Sequence, residues 1–296
     1  MKRIHEALGW AARGLKSRGI DQPRLDAELL LAHALGVDRA GLILCLEGRL
    51  EPEVRRDFLR LLRKRRARVP VPYLTGRRAF HELILAVGPG VLVPRPETEL
   101  LVEAALERLQ PCLGSPLVLD VGTGSGNIAL AIAAQVRQVR VVAIDLSMEA
   151  LAFASRNVRN YRLDGRVHLV QADLAMFHRA ARPSCFDLIV SNPPYVEERV
   201  TPLVDELAHE PALALVGGCG PFPQVYRLLI RAAGVLLRPG GTLMMEVGIH
   251  QAGVVRDLIA ADGSLGESVV LRDLAGIERV VICRHQGDPG VESEEA

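Results

Sequence analysis

The sequence predicts an α/β molecule: a small N-terminal helical domain, a β-hairpin linker, and a doubly wound sheet whose last strand runs antiparallel. Three observations predict it. Over residues 1–68 apolar side chains recur at three- and four-residue spacing, so this stretch reads as helices only. Pro70 and Pro72 then stop the helical pattern, because proline lacks the backbone donor and clashes with the preceding turn. Beyond residue 100, near-continuous apolar strands alternate with helices, the pattern of a parallel sheet covered on both faces.

Element by element, the first twenty residues form an amphipathic helix with charges throughout, which lacks the apolar run of a secretory leader. Residues 24–36 and 53–68 carry the helical period. The second of these bears Arg55, Arg56, Arg60, Arg63, Lys64, Arg65, Arg66 and Arg68 around an apolar stripe of Phe58, Leu59, Leu61 and Leu62. A solvated helix face explains that charge; a docking surface for an acidic protein or RNA is the alternative. Residues 69–99 mix aromatic and β-branched residues with glycines, which predicts the hairpin linker.

The sheet domain is expected over 100–285. Strands are predicted at 117–122, 139–145, 167–171, 186–191, 241–247, 268–273 and 279–283, and helices at 127–135, 148–161, 224–236 and 252–260. Only residues 274–278 join the last two strands, too few for a crossover helix, so that pair is expected to be antiparallel. Residues 286–296 are polar and expected to be disordered.

A chain of 296 residues suits one or two domains, and 49% hydrophobic residues suffice for a substantial core. The net charge of +1 supplies no field for a polyanion, so no stable nucleic-acid binding is expected. Cys45, Cys112, Cys185, Cys219 and Cys283 are scattered, odd in number and in no ligand spacing, which predicts reduced thiols and a cytoplasmic protein. The eight histidines show no ligand spacing either, so no metal is expected. Nothing approaches the roughly 18 apolar residues of a membrane span.

The first strand of the sheet runs into Gly122, Thr123, Gly124, Ser125 and Gly126 and then a helix. Glycines there let the backbone turn tightly and approach a ligand at the carboxyl end of the strand. A dinucleotide fingerprint would need Gly or Ala at the sixth position, where this chain has Asn127. The run DVGTGSG, opening with Asp120, resembles instead the first motif of class I methyltransferases, whose Rossmann-like sheet is then the expected fold. Asp145, at the end of the second strand, is placed to accept from the hydroxyls of a ribose; capping the next helix is its other reading. Asp173 is placed to accept from an adenine amino group with Leu174 packing on the ring, and a plain turn residue is the alternative for Asp173.

Asn192, Pro193, Pro194 and Tyr195 follow the fourth strand. Two prolines fix their own φ and restrict Asn192, so the loop is rigid. An amide or exocyclic amine nitrogen is a poor nucleophile, because its lone pair is delocalised. Acceptors from the Asn192 side-chain oxygen and the Pro193 carbonyl would aim the NH2 group and stabilise its developing positive charge. Tyr195 would cover the planar group. Glu246, at the end of the fifth strand, reads equally as a site residue and as a satisfied structural carboxylate.

Together these motifs resemble the release-factor glutamine N5-methyltransferases, the HemK/PrmC family, from the helical domain to Cys283. The resemblance also covers PYLTG at 72–76, LVPRPETE at 92–99, HEPALAL at 209–215 and DLAGIERVV at 273–281. It implies S-adenosyl-L-methionine as cofactor, held by Gly122 to Gly126, Asp145, Leu174 and Asn192. It implies class I peptide chain release factors as the protein substrate, with the glutamine of their Gly-Gly-Gln motif gripped by Asn192 to Tyr195. Arg95, Glu97 and Thr98 of the PRPETE string are expected to close the site, and the helical domain to dock the substrate. Leu174 departs from members with an aromatic residue there, which puts adenine stacking in doubt. A sister group that methylates a ribosomal-protein glutamine differs at the PRPETE linker. Nucleic-acid amino-methyltransferases share only the NPPY-type loop and the glycine run.

Overall fold

A computed structural model describes residues 3–110, 114–195, 206–217 and 222–286. Cys112, Cys219 and the tail beyond Gln286 lie outside the described residues. The described residues form two compact units. One holds those through Arg77 together with the turn at 206–209, and the other holds the rest.

The first unit is helical: α1 (Ile4–Lys16), α2 (Pro23–Leu35), α3 (Arg39–Leu44), α4 (Pro52–Arg66) and α5 (Val71–Thr75). In α1 the buried residues Ile4, Ala7, Leu8, Ala11 and Leu15 fall three and four apart and so line one face. They meet Leu30 and Leu31 of α2 and Phe58 and Leu62 of α4 in a single core, where burying each large apolar side chain contributes roughly 1.5–3 kcal/mol. Pro23 and Pro52 sit in the first turns of α2 and α4, where a missing N–H costs nothing.

Two features of this unit differ from expectation. Pro70 and Pro72 end α4 as predicted, but Pro70 then caps α5 and Pro72 occupies its first turn, so the helical unit continues to Arg77 instead of stopping at 68. Arg65 does not share the solvated face: it is 5% exposed and donates to Asp26 at 2.7 Å and to Glu206 at 2.5 Å. Arg55, Arg56, Arg63, Lys64 and Arg66 remain exposed.

The second unit opens with the hairpin β1 (Arg77–Phe80) and β2 (Leu83–Ala86), followed by a 3-10 turn (Pro96–Thr98) and α6 (Glu99–Leu109). Then come β3 (Leu117–Val121), α7 (Asn127–Gln135), β4 (Arg140–Asp145), α8 (Met148–Asn160), β5 (Val167–Gln171), α9 (Leu174–Ala180) and β6 (Phe186–Ser191). The chain ends with α10 (Ala212–Val216), α11 (Gln224–Leu236), β7 (Leu237–Glu246), α12 (Ala252–Asp262), β8 (Val269–Arg272) and β9 (Glu278–Arg284).

Seven strands form one sheet in the order β5-β4-β3-β6-β7-β9-β8. The first five run parallel, and β9 pairs antiparallel with both β7 and β8. Alternate residues of a strand face opposite sides: Val118, Leu188 and Met244 pack under α6 and α7, whereas Leu119, Ile189 and Leu243 pack under α11 and α12. This is the class I methyltransferase architecture. The order reverses between β3 and β6, so their carboxyl ends open a crevice. Among the described residues no helix is long and apolar enough to cross a membrane.

Candidate active site

The expected site residues follow the carboxyl ends of four adjacent parallel strands. Gly122 follows β3, Asp145 ends β4, Asp173 lies two residues past β5, and Asn192 follows β6. They surround a cavity of about 310 Å³ lined by Gly122, Gly124, Ser125, Asp145, Asp173, Leu174, Asn192, Pro193 and Pro194. Val91, Arg95 and Thr98 of the linker, and Pro211, Leu213 and Gly217 of the following segment, complete the wall. Thr123, Gly126 and Tyr195 are not part of that wall.

The glycine loop is built by its own hydrogen bonds. Gly122 and Thr123 both donate to the carbonyl of Ile144, at 2.9 and 3.0 Å, and Gly124 donates to Asp145 Oδ2 at 2.8 Å. Gly126 has φ +82°, and a Cβ there would lie 2.4 Å from the end of the Leu130 side chain, so any other residue would strain the turn into α7 and displace Leu130. Thr123 turns inward and donates to the fully buried Asp120 at 2.6 Å. Burial pushes the Asp120 carboxyl up to about 7 against the Thr123 and Ala129 hydrogen bonds, with the charge of Asp145 adding to the rise. Asn157 of α8 ties this loop to the hairpin: it donates to Ser125 O and Ala86 O and accepts from Ala86 N–H.

Asp145 does not cap α8; Ser147 does, and Asp145 accepts instead from the Ser147 and Gly124 N–H groups. Those two bonds aim the carboxylate into the cavity while each oxygen retains a lone pair. Burial raises its pKa from the ordinary carboxylate value. Asp173 caps α9 by accepting from Ala175 N–H at 2.8 Å, and it lines the cavity as well.

The NPPY loop is held on every side that the described residues reach. Gly217 has φ +83°, and a Cβ there would come within 2.8 Å of Pro194. Asn192 Nδ2 donates to Thr98 Oγ1 at 2.9 Å, and Thr98 is completely buried. Tyr195 donates its hydroxyl to Glu246 Oε1 at 3.2 Å, and its carbonyl accepts from Gln251 Nε2 at 3.0 Å. Burial, with the neighbouring Glu246, raises the Tyr195 phenol far above its ordinary value, so it is a neutral donor. Glu246 is 1% exposed and not satisfied: Oε2 has no hydrogen-bond partner among the described residues.

Two of the motifs quoted for the resemblance prove to be one feature. Glu210 of HEPALAL is 7% exposed, accepts from Val93 N–H at 2.9 Å, and pairs with the Arg95 guanidinium of the PRPETE string. Arg95 and Thr98 reach the cavity, while Glu97 is exposed and does not line it. Sequence reasoning missed the roles of Asn157, Gly217, Glu210 and Gln251, because each acts on a partner more than thirty positions away or is one glycine among 27.

Comparison with known proteins gives the chain's relatives. The family described as "PrmC N-terminal domain" matches residues 6–76, and the "Methyltransferase small domain" matches 96–219. Among solved structures, a release factor-specific protein-(glutamine-N5) methyltransferase from Alicyclobacillus acidocaldarius is 31% identical, with TM-score 0.42 over 68% of this chain and 98% of that one. A release factor glutamine methyltransferase of Moorella thermoacetica is 42% identical over 93% of this chain and 96% of its own length. That of Rhodopirellula baltica is 40% identical over 94% and 95%. At that identity over nearly the whole of both chains, this chain belongs to the family of release factor glutamine methyltransferases.

Proposed function

We propose that the chain transfers the methyl group of S-adenosyl-L-methionine to the N5 nitrogen of the glutamine in the Gly-Gly-Gln motif of class I peptide chain release factors. The observation that carries this reading is the Asn192-Pro-Pro-Tyr195 loop, fixed by Thr98, Gly217, Gln251 and Glu246 at the edge of the glycine-loop cavity. The family relation supplies the substrate class, and a cytoplasmic location goes with it.

The residues present suit the cofactor. A Cβ at Gly122 would meet no protein atom within 4 Å, so the space over the loop is open. Ser125 lines the cavity with a buried hydroxyl that lacks a partner among the described residues, and the cavity is of ligand size and mostly apolar apart from a few convergent polar groups. In this reading Gly122, Gly124 and Ser125 of the glycine loop cradle the cofactor, with Thr123 and Gly126 shaping the loop behind them, Asp145 takes the ribose hydroxyls, Asp173 the adenine amino group and Leu174 the ring face. The cofactor supplies a methyl group activated on a sulfonium.

The chain's own residues do the rest. The Asn192 side-chain oxygen and the Pro193 carbonyl accept from the two amide hydrogens, orienting the nitrogen and stabilising the charge that grows on it. Tyr195, held at its hydroxyl and its carbonyl, covers the planar amide from outside the cofactor cavity. No strong base is required, because the nitrogen becomes acidic as it is alkylated. Stable binding of nucleic acid and a metal have no part in this scheme.

The test is methyl transfer from labelled cofactor to a purified release factor. Label should enter the factor, vanish when its Gly-Gly-Gln glutamine is replaced by alanine, and fall by about 100- to 1,000-fold in Asn192→Ala, the loss typical of one preorganised polar contact to developing charge. Label entering a ribosomal protein or nucleic acid instead would discard the substrate.

A further inference from the structure

Given the function proposed above, we infer that the turn at residues 248–251, which follows β7, is a contact site for the polypeptide substrate. Its Ile249 and His250 receive the glycine backbone beside the reacting glutamine, while Tyr195 covers the glutamine amide.

Strand order puts this turn beside the NPPY loop and away from the cofactor. β7 pairs in parallel with β6 on the side opposite β3, so the turn and the loop leave the same rim of the sheet, and none of the four turn residues lines the cofactor cavity. The turn is also bonded to Tyr195. Gln251 donates from Nε2 to the Tyr195 carbonyl at 3.0 Å and accepts from Gly248 N–H through Oε1 at 3.0 Å, and a Cβ on Gly248 would fall 3.0 Å from Tyr195 Cδ2. A glutamine side chain keeps its own backbone within a few bonds of its amide. The peptide that feeds its glutamine to the NPPY loop therefore passes the rim beside Tyr195, where this turn stands.

Two features of the turn do nothing for packing. Ile249 is 53% exposed, although Val247 and Gly248 before it are buried. His250 is exposed as well and has φ +65°, in the left-handed region that glycine enters without strain and a residue with a Cβ does not. The Gln251 N–H closes the turn on the Gly248 carbonyl at 3.1 Å, so both exposed side chains stand on a fixed frame. Backbone strain of this kind persists where neighbouring structure imposes it, and it concentrates at binding sites. The chemistry of the substrate matches what the turn offers. Two glycines have no side chains, so they are recognised through their backbone: the Ile249 side chain packs on their methylenes, and an imidazole nitrogen of His250 bonds to a peptide group.

The experiment compares the unaltered full chain with Ile249→Ser and His250→Gly, in methyl transfer to an intact release factor and in thermal melting. Ile249→Ser should raise KM for the factor by about 10-fold, the effect of losing one partly exposed apolar contact, with kcat and KM for the cofactor within about 3-fold. His250→Gly relieves the left-handed residue and should melt no lower than the original, yet raise KM for the factor by about 5-fold, the effect of one neutral hydrogen bond. That split between stability and KM is what a merely structural turn would not give. Should Ile249→Ser fold poorly, His250→Gly decides alone. An unchanged KM for the factor in folded variants, or a KM for the cofactor that rises in step with it, would overturn the assignment while leaving the proposed function in place. Absence of transfer by the unaltered chain would remove both.

Discussion

At the scale of single residues, the buried carboxyl of Asp120 makes stability depend on pH. Its pKa rises to about 7 in the folded chain, from an ordinary 3.8, chiefly because burial disfavours the charge. Below about pH 4 both folded and unfolded chains hold the proton, so the group has no effect. Between about 4 and 7 the unfolded chain loses the proton that the folded chain keeps, and stability falls by roughly 1.4 kcal/mol per pH unit, on the order of 4 kcal/mol in all. Above 7 the loss is complete. Asp120→Asn retains an oxygen for Thr123 and Ala129 but cannot ionise. The difference in melting temperature between variant and original should therefore grow in the variant's favour from pH 4 to pH 7. Parallel melting curves over that range would mean that Asp120 ionises as easily folded as unfolded.

At the scale of elements, what was legible in the sequence is what repeats. The glycine run, the NPPY string and the apolar strands declare themselves over consecutive positions, and α7, α8, α11 and α12 are long enough to show the helical period. The elements that escaped notice are short: α5, α9 and α10 span only 5 to 7 residues, under two turns. Helix α6 escaped for a different reason, since it lies against the sheet and buries Leu101, Val102, Ala104, Ala105, Leu106 and Leu109, leaving little alternation to read. The start of α9 decides between two roles for Asp173. Asp173→Asn keeps an oxygen for the cap on Ala175 N–H and should leave unfolding stability within about 0.5 kcal/mol, whereas Asp173→Ala should lose about 1 kcal/mol. If Asp173 also takes the adenine amino group, the Asn variant should raise KM for the cofactor by about 10-fold, the effect of losing one charge-assisted hydrogen bond. An unchanged KM in Asp173→Asn would reduce the residue to a helix cap.

At the scale of the whole molecule, chemistry and charge occupy different units. The sheet unit carries the cavity and the NPPY loop, and the helical unit carries the basic helix α4. The sequence could not sort the arginines of α4, because burial of Arg65 depends on Asp26 and Glu206, 39 and 141 positions away. With Arg65 assigned to structure, the exposed Arg55, Arg56, Arg63 and Arg66 are among the cations of α4 available to an acidic partner surface. If this helix docks the release factor, replacing those four by serine should raise KM for the intact factor by about 10-fold at low salt, and the difference should shrink toward 0.5 M salt, where the Debye length is below roughly 5 Å. KM for the cofactor should not move, since none of the four lines the cavity. Stability should change by no more than about 0.5 kcal/mol per site, because each is exposed. A KM for the factor that is the same in both proteins at every salt concentration would return α4 to the other reading of its charge, a face that meets only water.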